Sequence, residues 1–213
     1  MKKPIFYLVL FFSCSFLNPA KSQVLADDSL ALLDLYLETD GPNWTNNQNW
    51  LNGPVNTWFG ITVEFNRVTK VELPSNNLMG LIPASFNDLT ALRELVLNNN
   101  GITAIADLTN LSALSRFIVN NNRLEDLPAL LSSILGEVNC ANNALNFADL
   151  EPLGIFPINN FVYAPQANVG QEGFLYAQEG ATFQIPGEGE STNNLYRWFK
   201  DGNQIRGPLA FPH

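Results

Sequence analysis

One eleven-residue pattern occurs four times between residues 68 and 145. Each copy has apolar residues at its first, fourth, sixth and eleventh positions and an asparagine at its ninth. The copies begin at Val68, Leu92, Leu114 and Leu135, so their starts are 24, 22 and 21 residues apart. Self-similarity at such a period is the signature of a repeat architecture, in which each unit buries its apolar face against its neighbours. The chain is therefore predicted to form a solenoid.

The middle of each copy alternates apolar and variable residues, which is the period of a short strand with one buried face. The chain must then bend out of the strand, and an asparagine amide can satisfy backbone groups that the bend leaves unpaired. Four residues are assigned this role: Asn76, Asn100, Asn122 and Asn143. Cys140 occupies an inward strand position, where cysteine acts as a small apolar residue. A reactive thiol is the alternative for this residue.

Residues 28–166 resemble the leucine-rich-repeat superfamily. The first copy continues as Leu78-Met-Gly80-Leu-Ile82-Pro83, which is similar to the form found in plant receptor ectodomains and their bacterial relatives. Later copies lack the glycine and the Ile-Pro pair, so the convex side is expected to change after the first turn. The resemblance implies an α/β fold: a short curved parallel sheet in a solenoid spanning residues 68–166, with a helical N-terminal cap over residues 23–67.

The cap is predicted to contain one helix that begins at Asp28, as its N-cap, and ends at Gly41-Pro42. Its apolar face is predicted from the spacing of leucines, with two further residues beside it: Leu30, Leu33 and Leu37, then Leu32 and Tyr36.

Tryptophans follow the predicted helix, at Trp44, Trp50 and Trp58. They resemble the N-terminal cap of plant-type repeat proteins without its cysteine pair, and we expect them to cover the edge of the first turn. A sugar-binding platform is the alternative. At the other end, Ala164-Pro165-Gln166 replaces the asparagine turn and is interpreted as a closing half-repeat.

Residues 167–213 follow a different pattern. A linker is predicted at 168–173, a strand at 181–185, and two strands around Asp201-Gly202. The run Trp198-Phe-Lys-Asp-Gly202 resembles part of an immunoglobulin-like sandwich, which needs about 100 residues. The sequence therefore predicts a truncated all-β immunoglobulin-like segment of a larger protein; the alternative is an unusual cap packed on the solenoid.

The first 22 residues predict an export signal. Lys2 and Lys3 precede an apolar stretch over residues 4–17, and small residues flank Lys21 before a cleavage point after Ser22. An uncleaved anchor and a lipoprotein anchor at Cys14 are the alternatives. Cleavage would remove three lysines, leaving 8 basic against 20 acidic residues, a charge of -12. No membrane insertion is expected afterwards, and the protein is expected to be secreted or held at the cell surface.

The composition argues against several classes of function. The formal charge of -9 disfavours nucleic acid, which requires clustered basic residues. The only histidine is His213, which removes Ser-His and Cys-His pairs and histidine-rich metal sites. No phosphate loop or dinucleotide motif is present. We therefore expect no enzyme activity, no cofactor and no metal.

The exposed concave face remains as the candidate site, because variable positions of successive strands align in columns. One column is predicted to form ordinary cross-strand ion pairs: Lys70, Glu94, Arg116 and Glu137. Beside it, Val96 and Ile118 are predicted to point to solvent as an apolar patch. The remaining candidates are Glu72, Arg93, Asn98, Asn120 and Asn139. A protein or peptide ligand is expected there; the alternative function is a structural stalk or presenting domain of a larger surface protein.

Overall fold

The computed structural model describes residues 24–132, 134–150, 152–153, 156, 158–167, 196–200 and 203–209. The predicted export signal, the predicted linker and the predicted strand at 181–185 lie outside the described residues. The strands are β1 (Ile61–Glu64), β2 (Arg67–Glu72), β3 (Met79–Ile82), β4 (Glu94–Val96), β5 (Gly101–Ile105), β6 (Arg116–Ile118), β7 (Glu137–Asn139), β8 (Asn160–Val162), β9 (Tyr196–Lys200) and β10 (Asn203–Leu209). The helices are α1 (Ala26–Glu38) and α2 (Phe147–Leu150).

The repeats build one sheet with the order β1-β2-β4-β6-β7-β8. From β2 to β8 neighbouring strands are parallel and in strict register, so that Val71, Leu95, Phe117, Val138 and Phe161 lie in one row. The first four of these are fully buried and Phe161 is half-buried against the core. The predicted solenoid of stacked short strands is confirmed, because equivalent apolar positions do stack through the molecule.

The first strand of the sheet belongs to the cap and runs the opposite way. β1 pairs antiparallel with β2 through a two-residue turn at Phe65 and Asn66. Both turn residues have positive φ, 49° and 66°, the backbone form that matches the twist of a hairpin. β1 thus pairs with the edge of the parallel sheet that would otherwise be open at its N-terminal end.

The convex side changes along the solenoid, but one turn later than predicted, because the second repeat still contributes a convex strand. β3 and β5 form a parallel two-stranded sheet behind the first two repeats. In the later described repeats the convex pairing is reduced to an isolated bridge between Leu108 and Leu130. The shorter later copies therefore leave room for a single bridge where the first copies hold a second sheet.

The helix of the cap differs from its predicted form in two ways. Its N-cap is Leu25, which makes no side-chain capping hydrogen bond, and the last helical residue is Glu38. Asp28 lies in the first turn with its side chain fully buried. The prediction of Asp28 as the N-cap is wrong because its carboxylate is used inward: it receives hydrogen bonds from the Arg67 guanidinium, at 3.0–3.2 Å, and from the Val68 amide at 2.7 Å.

The buried face of α1 is also not the predicted one. The residues that face the core are Asp28, Ala31, Leu32 and Leu35. Leu30 and Leu37, predicted to lie on the buried face, are instead 56% and 62% exposed. Leucines at so many positions of this helix fit more than one face, and the inward carboxylate of Asp28 selects the face that is buried.

The three cap tryptophans form one buried cluster with Tyr36. Ring centroids of neighbouring members lie 4.7–5.8 Å apart. Each indole nitrogen donates to a backbone carbonyl of the cap, those of Thr39, Phe59 and Gly53. The expected edge-covering role is confirmed, and the sugar-platform alternative is wrong because Trp44, Trp50 and Trp58 are all buried.

Near the C-terminus, β9 and β10 pair antiparallel. The two strands predicted around Asp201-Gly202 are therefore present. The remainder of the predicted immunoglobulin-like segment lies outside the described residues.

Candidate functional site

The predicted charged column crosses four strands as a continuous ladder of ion pairs. Register places Lys70, Glu94, Arg116 and Glu137 side by side. Lys70 Nζ lies 2.5 Å from Glu94 Oε1, Arg116 Nη1 lies 3.6 Å from Glu94 Oε2, and Arg116 Nε lies 2.8 Å from Glu137 Oε2. The prediction of cross-strand pairs is confirmed. The column neutralises itself and leaves neither of its cations unpaired.

Lys70 interacts electrostatically with several acidic residues around it. Its hydrogen bond to Glu94 raises the pKa of the Lys70 ammonium, and the charges of Glu94, Glu72 and Glu64 raise it further. Glu72 forms no ion pair among the described residues, so it is the free acid at the N-terminal end of the face. Arg93 lies beside the ladder and pairs with Glu64 of β1, a contact that joins the cap to the second repeat.

Val96 and Ile118 are adjacent on β4 and β6, as predicted. They lie outside the core cluster, on the opposite side of the strands from Leu95 and Phe117. The prediction that they form an exposed patch is wrong, because they are only 7% and 6% exposed. β-Branched side chains on neighbouring strands about 4.8 Å apart cover one another, and longer side chains flank them along each strand. They form an apolar floor, not a protruding patch.

The next column beside that floor consists of amides. Asn98 and Asn120 follow Val96 and Ile118 at the same spacing, and both are half-buried. Their backbone carbonyls accept hydrogen bonds from Ser75 and Asn99. Their side-chain amides have no hydrogen-bond partner among the described residues. Asn139 continues the column of Val96 and Ile118 on β7. Its Oδ1 accepts a hydrogen bond from the Ala141 amide at 3.3 Å. Two free amides therefore remain beside the apolar floor.

The four motif asparagines form a second ladder along the edge where the strands end. Asn100 is representative: its Nδ2 donates to the carbonyls of Leu73 and Leu97, and its Oδ1 accepts from the amides of Asn76 and Leu78.

Asn122 and Asn143 donate to two carbonyls in the same way one and two turns later, and their Oδ1 atoms accept from the amides of Ile102 and Leu124. Asn76 makes the corresponding bonds to the backbone of Asn46 in the cap. The predicted structural role of the motif asparagines is confirmed.

Gln166 extends this ladder at its C-terminal end, a role the sequence analysis did not assign. Its Oε1 accepts from the amides of Asn143 and Leu145, and its Nε2 donates to the carbonyls of Cys140 and Tyr163. The signal was its position 23 residues after Asn143, within the range of repeat spacings. Gln166 supplies a side-chain amide at the position of the motif asparagine. This amide identifies the closing half-repeat more directly than the absence of an asparagine does.

The residue before each motif asparagine carries another requirement that the sequence analysis missed. Ser75, Asn99, Asn121 and Asn142 all have left-handed backbones, with φ between 52° and 59°. Asparagine tolerates this conformation better than most residues. Three of the four turns therefore use consecutive asparagines for two different reasons, one conformational and one for hydrogen bonding.

Cys140 is fully buried and forms no disulfide. Burial raises the pKa of its thiol to about 12. A thiol that stays protonated is a poor nucleophile and metal ligand, which favours the structural interpretation. Among the described residues, no group of three or more potential metal-ligating side chains is found.

Comparison with known proteins agrees with this geometry. Residues 66–124 match the family model described as leucine rich repeat. This region carries leucine-rich repeats. Within this region the parallel strands and the asparagine ladder are stacked as a solenoid. No match was found among curated proteins.

Three structures of Arabidopsis proteins are similar in part. The structure of the Arabidopsis receptor kinase HAESA in complex with the peptide hormone IDA and the co-receptor SERK1 matches with a TM-score of 0.45 and 19% identity, covering 67% of this chain. The chain spans 30% of that HAESA-complex chain.

The leucine-rich-repeat ectodomain of SOBIR1 from Arabidopsis thaliana matches with a TM-score of 0.42 and 18% identity, covering 67% of this chain and 94% of that one. The BIR2 ectodomain of the same plant gives 0.43 and 21%, covering 65% and 95%. Within the described residues of this protein, no helix is long and apolar enough to cross a membrane.

Proposed function

We propose that this protein is a binding module that acts outside the cell or on its surface and recognises an extended peptide or protein segment on its concave face. The observation that carries the proposal is the pair of unpartnered amides, Asn98 and Asn120, aligned beside the apolar floor of Val96 and Ile118. A half-buried amide left without a partner in the free protein is available to a ligand.

The chemistry of this face suits a polypeptide. An asparagine amide donates and accepts at once, so it can bond both the C=O and the N–H of a peptide main chain. The two amides directly follow adjacent strands, which lie about 4.8 Å apart, and can therefore hold one ligand segment at two points. The apolar floor beside them is less than a tenth exposed, so the two amides would supply most of the contact with that segment.

The charged residues refine the class of ligand. Lys70 and Arg116 are already paired within the ladder, and Arg93 is paired with Glu64. Nucleic acid would require free cations on this face, so it does not fit. Glu72 is the free charge at one end, which favours a ligand with a basic group at the matching end. The location outside the cell rests on the predicted export signal at residues 1–22.

A displayed library of random peptides tests the proposal. We expect the protein to enrich peptides that lose at least tenfold in affinity when Asn98 and Asn120 are both changed to lysine. Thr103 and Ala104 are exposed on the convex side, and changing both to lysine is the matched control. The control variant adds the same charge and should bind the enriched peptides as the original protein does.

Two outcomes would contradict the concave-face proposal. Peptides that bind both variants equally would place recognition elsewhere on the molecule. Failure to enrich any peptide would instead favour the alternative, a structural stalk or presenting domain. In that case the ion-pair ladder would only stabilise the surface of the sheet and would bind nothing.

A further inference from the structure

The outer side of α1 carries an apolar stripe that the fold does not use. The helix packs on the core through Ala31, Leu32 and Leu35. Leu30 and Leu37 lie on the outer side and are more than half exposed, with Leu33 half-buried between them. These leucines are spaced i, i+3 and i+7, so they form one continuous face along two turns of the helix.

The C-terminal end of the same helix contacts β3, a strand of the convex sheet that also carries exposed apolar residues. Met79 and Leu81 of β3 are exposed large apolar side chains. The Met79 amide donates to the Thr39 carbonyl at 3.1 Å, directly after the helix. A Cβ atom on Gly80 would lie 2.5 Å from the Glu38 carbonyl oxygen, so strand and helix end are in direct contact there. We call Leu30, Leu33, Leu37, Met79 and Leu81 the outer cap surface.

The charge around the outer cap surface is one-sided. α1 contains four acidic residues and no lysine or arginine. Asp28 is neutralised by Arg67, whereas Asp27, Asp34 and Glu38 form no ion pair among the described residues. A second copy of this chain would bring acid against acid, which is unfavourable at an interface. A basic partner would instead complement both the leucines and the acidic rim.

We propose that the outer cap surface docks a basic amphipathic helix of a protein partner. Leucine-like anchors spaced along such a helix would pack between the exposed side chains, and its lysines or arginines would face Asp34 and Glu38. This surface lies on the outer side of the cap, so it is distinct from the concave face and does not depend on the function proposed there. The protein would then have two binding surfaces.

The test uses two synthetic helical peptides with the same leucine face. One carries lysines on its flanks and the other glutamates. Binding is measured by titration followed by fluorescence anisotropy. The lysine peptide is expected to bind, and its affinity should fall at least tenfold between 0.05 M and 0.5 M salt. The glutamate peptide is expected not to bind. Flanking charges on a partially exposed surface are screened in this way.

Two pairs of variants assign the binding to this surface. Changing Leu30 and Leu37 to glutamine should lower the affinity for the lysine peptide at least tenfold. Leu131 is a similarly exposed leucine near the other end of the solenoid, and Leu131→Gln should leave that affinity unchanged. Asp34→Asn with Glu38→Gln should weaken binding and reduce its salt dependence, and Glu125→Gln is the control for that pair. The substituted leucines are exposed, so circular dichroism should show unchanged folding.

Three results would overturn the proposal. The first is binding of the lysine peptide that the Leu30 and Leu37 variant retains in full. The second is equal binding of the glutamate peptide, which would show simple apolar adhesion. The third is a dimer of the original protein in sedimentation equilibrium that the glutamine variant converts to monomer, which would identify a second copy as the occupant.

Discussion

The two ends of the solenoid are closed in different ways. At the N-terminal end an antiparallel strand, a helix and four packed aromatic rings cover the first turn, and a buried ion pair joins the helix to β2. At the C-terminal end β8 is the last strand of this sheet among the described residues, and Val162 and Tyr163 are exposed. Gln166 continues the asparagine ladder there.

This difference predicts a gradient of stability. In a stack where each repeat contacts only its neighbours, local opening begins at the end with the fewest buried contacts. The N-terminal end uses apolar burial and an ion pair whose carboxylate is fully buried, so the loss of this end should unfold much of the stack. The C-terminal end is expected to fray first.

The largest effect is expected from Arg67→Ala. This substitution leaves the fully buried Asp28 carboxylate without its partner, and breaking such a pair costs about 3–5 kcal/mol of unfolding free energy. Urea unfolding followed by tryptophan fluorescence measures the loss. Arg93→Ala removes an exposed pair with Glu64 and should cost under about 1 kcal/mol. Equal losses in the two variants would show that the buried pair does not anchor the cap.

Thiol labelling compares opening at the two ends directly. Cys140 is fully buried, so it can be labelled at pH 8 only after local opening of its repeat, and it should label much more slowly than an ordinary exposed thiol. Two variants are compared, both with Cys14 replaced by serine. The first keeps Cys140 as its only cysteine. The second carries Cys140→Ser and Ala31→Cys, so that its only thiol is buried in the cap. Faster labelling of the cap thiol would reverse the predicted gradient.

The same thiol predicts a pH dependence. The unfolded thiol titrates near pH 9.0 and the buried one near 12. Its contribution to stability is therefore complete below pH 9 and is lost as the pH rises towards 12, because the unfolded state can release the proton more easily. Urea midpoints measured between pH 8 and 10.5 should fall more in the original protein than in Cys140→Ala.

The amide ladder offers a smaller test of the same comparison. Asn100→Ala removes four backbone contacts in the middle of the stack and should cost about 2–3 kcal/mol. Gln166→Ala removes the equivalent contacts at the open end, where water can replace part of them, and should cost about 1 kcal/mol. Urea midpoints provide the measurement. A larger loss at Gln166 would mean that the last half-repeat stabilises the whole stack.

The smallest effect is expected from Glu94→Gln, which removes two pairs of the concave ladder. Partially exposed pairs of this kind contribute under about 1 kcal/mol. The pKa of Lys70 should fall, because Glu94 is the main cause of its raised value, and NMR titration of the Lys70 side chain would detect this. A large loss of stability would show that the ladder, and not the cap, stabilises the sheet.

The sequence predicts the repeats well for a physical reason. The apolar positions of each copy must face inward, and strand alternation then fixes which residues share a column, as for Lys70 and Glu94. The requirements of the turn fix the motif asparagines in the same way. These features depend on local spacing, which a single sequence records.

Other features depend on contacts between distant residues. Asp28 is a residue type that often caps helices, yet its carboxylate pairs with Arg67, which is 39 residues away. Val96 occupies an outward position, but neighbouring strands cover it. Leucine spacing predicts a buried position for Leu30 and Leu37, which are exposed, because spacing alone does not decide which side of a helix packs on the core.

The asparagine ladder has a consequence for how such a molecule can change over time. The repeats differ in length, yet their concave columns remain in register, because each motif asparagine binds the turn before it. Insertions and deletions are therefore absorbed by the outer loops. Specificity on the inner face would diverge through point substitutions, whereas the outer side would diverge through changes in length, so the two surfaces can evolve independently.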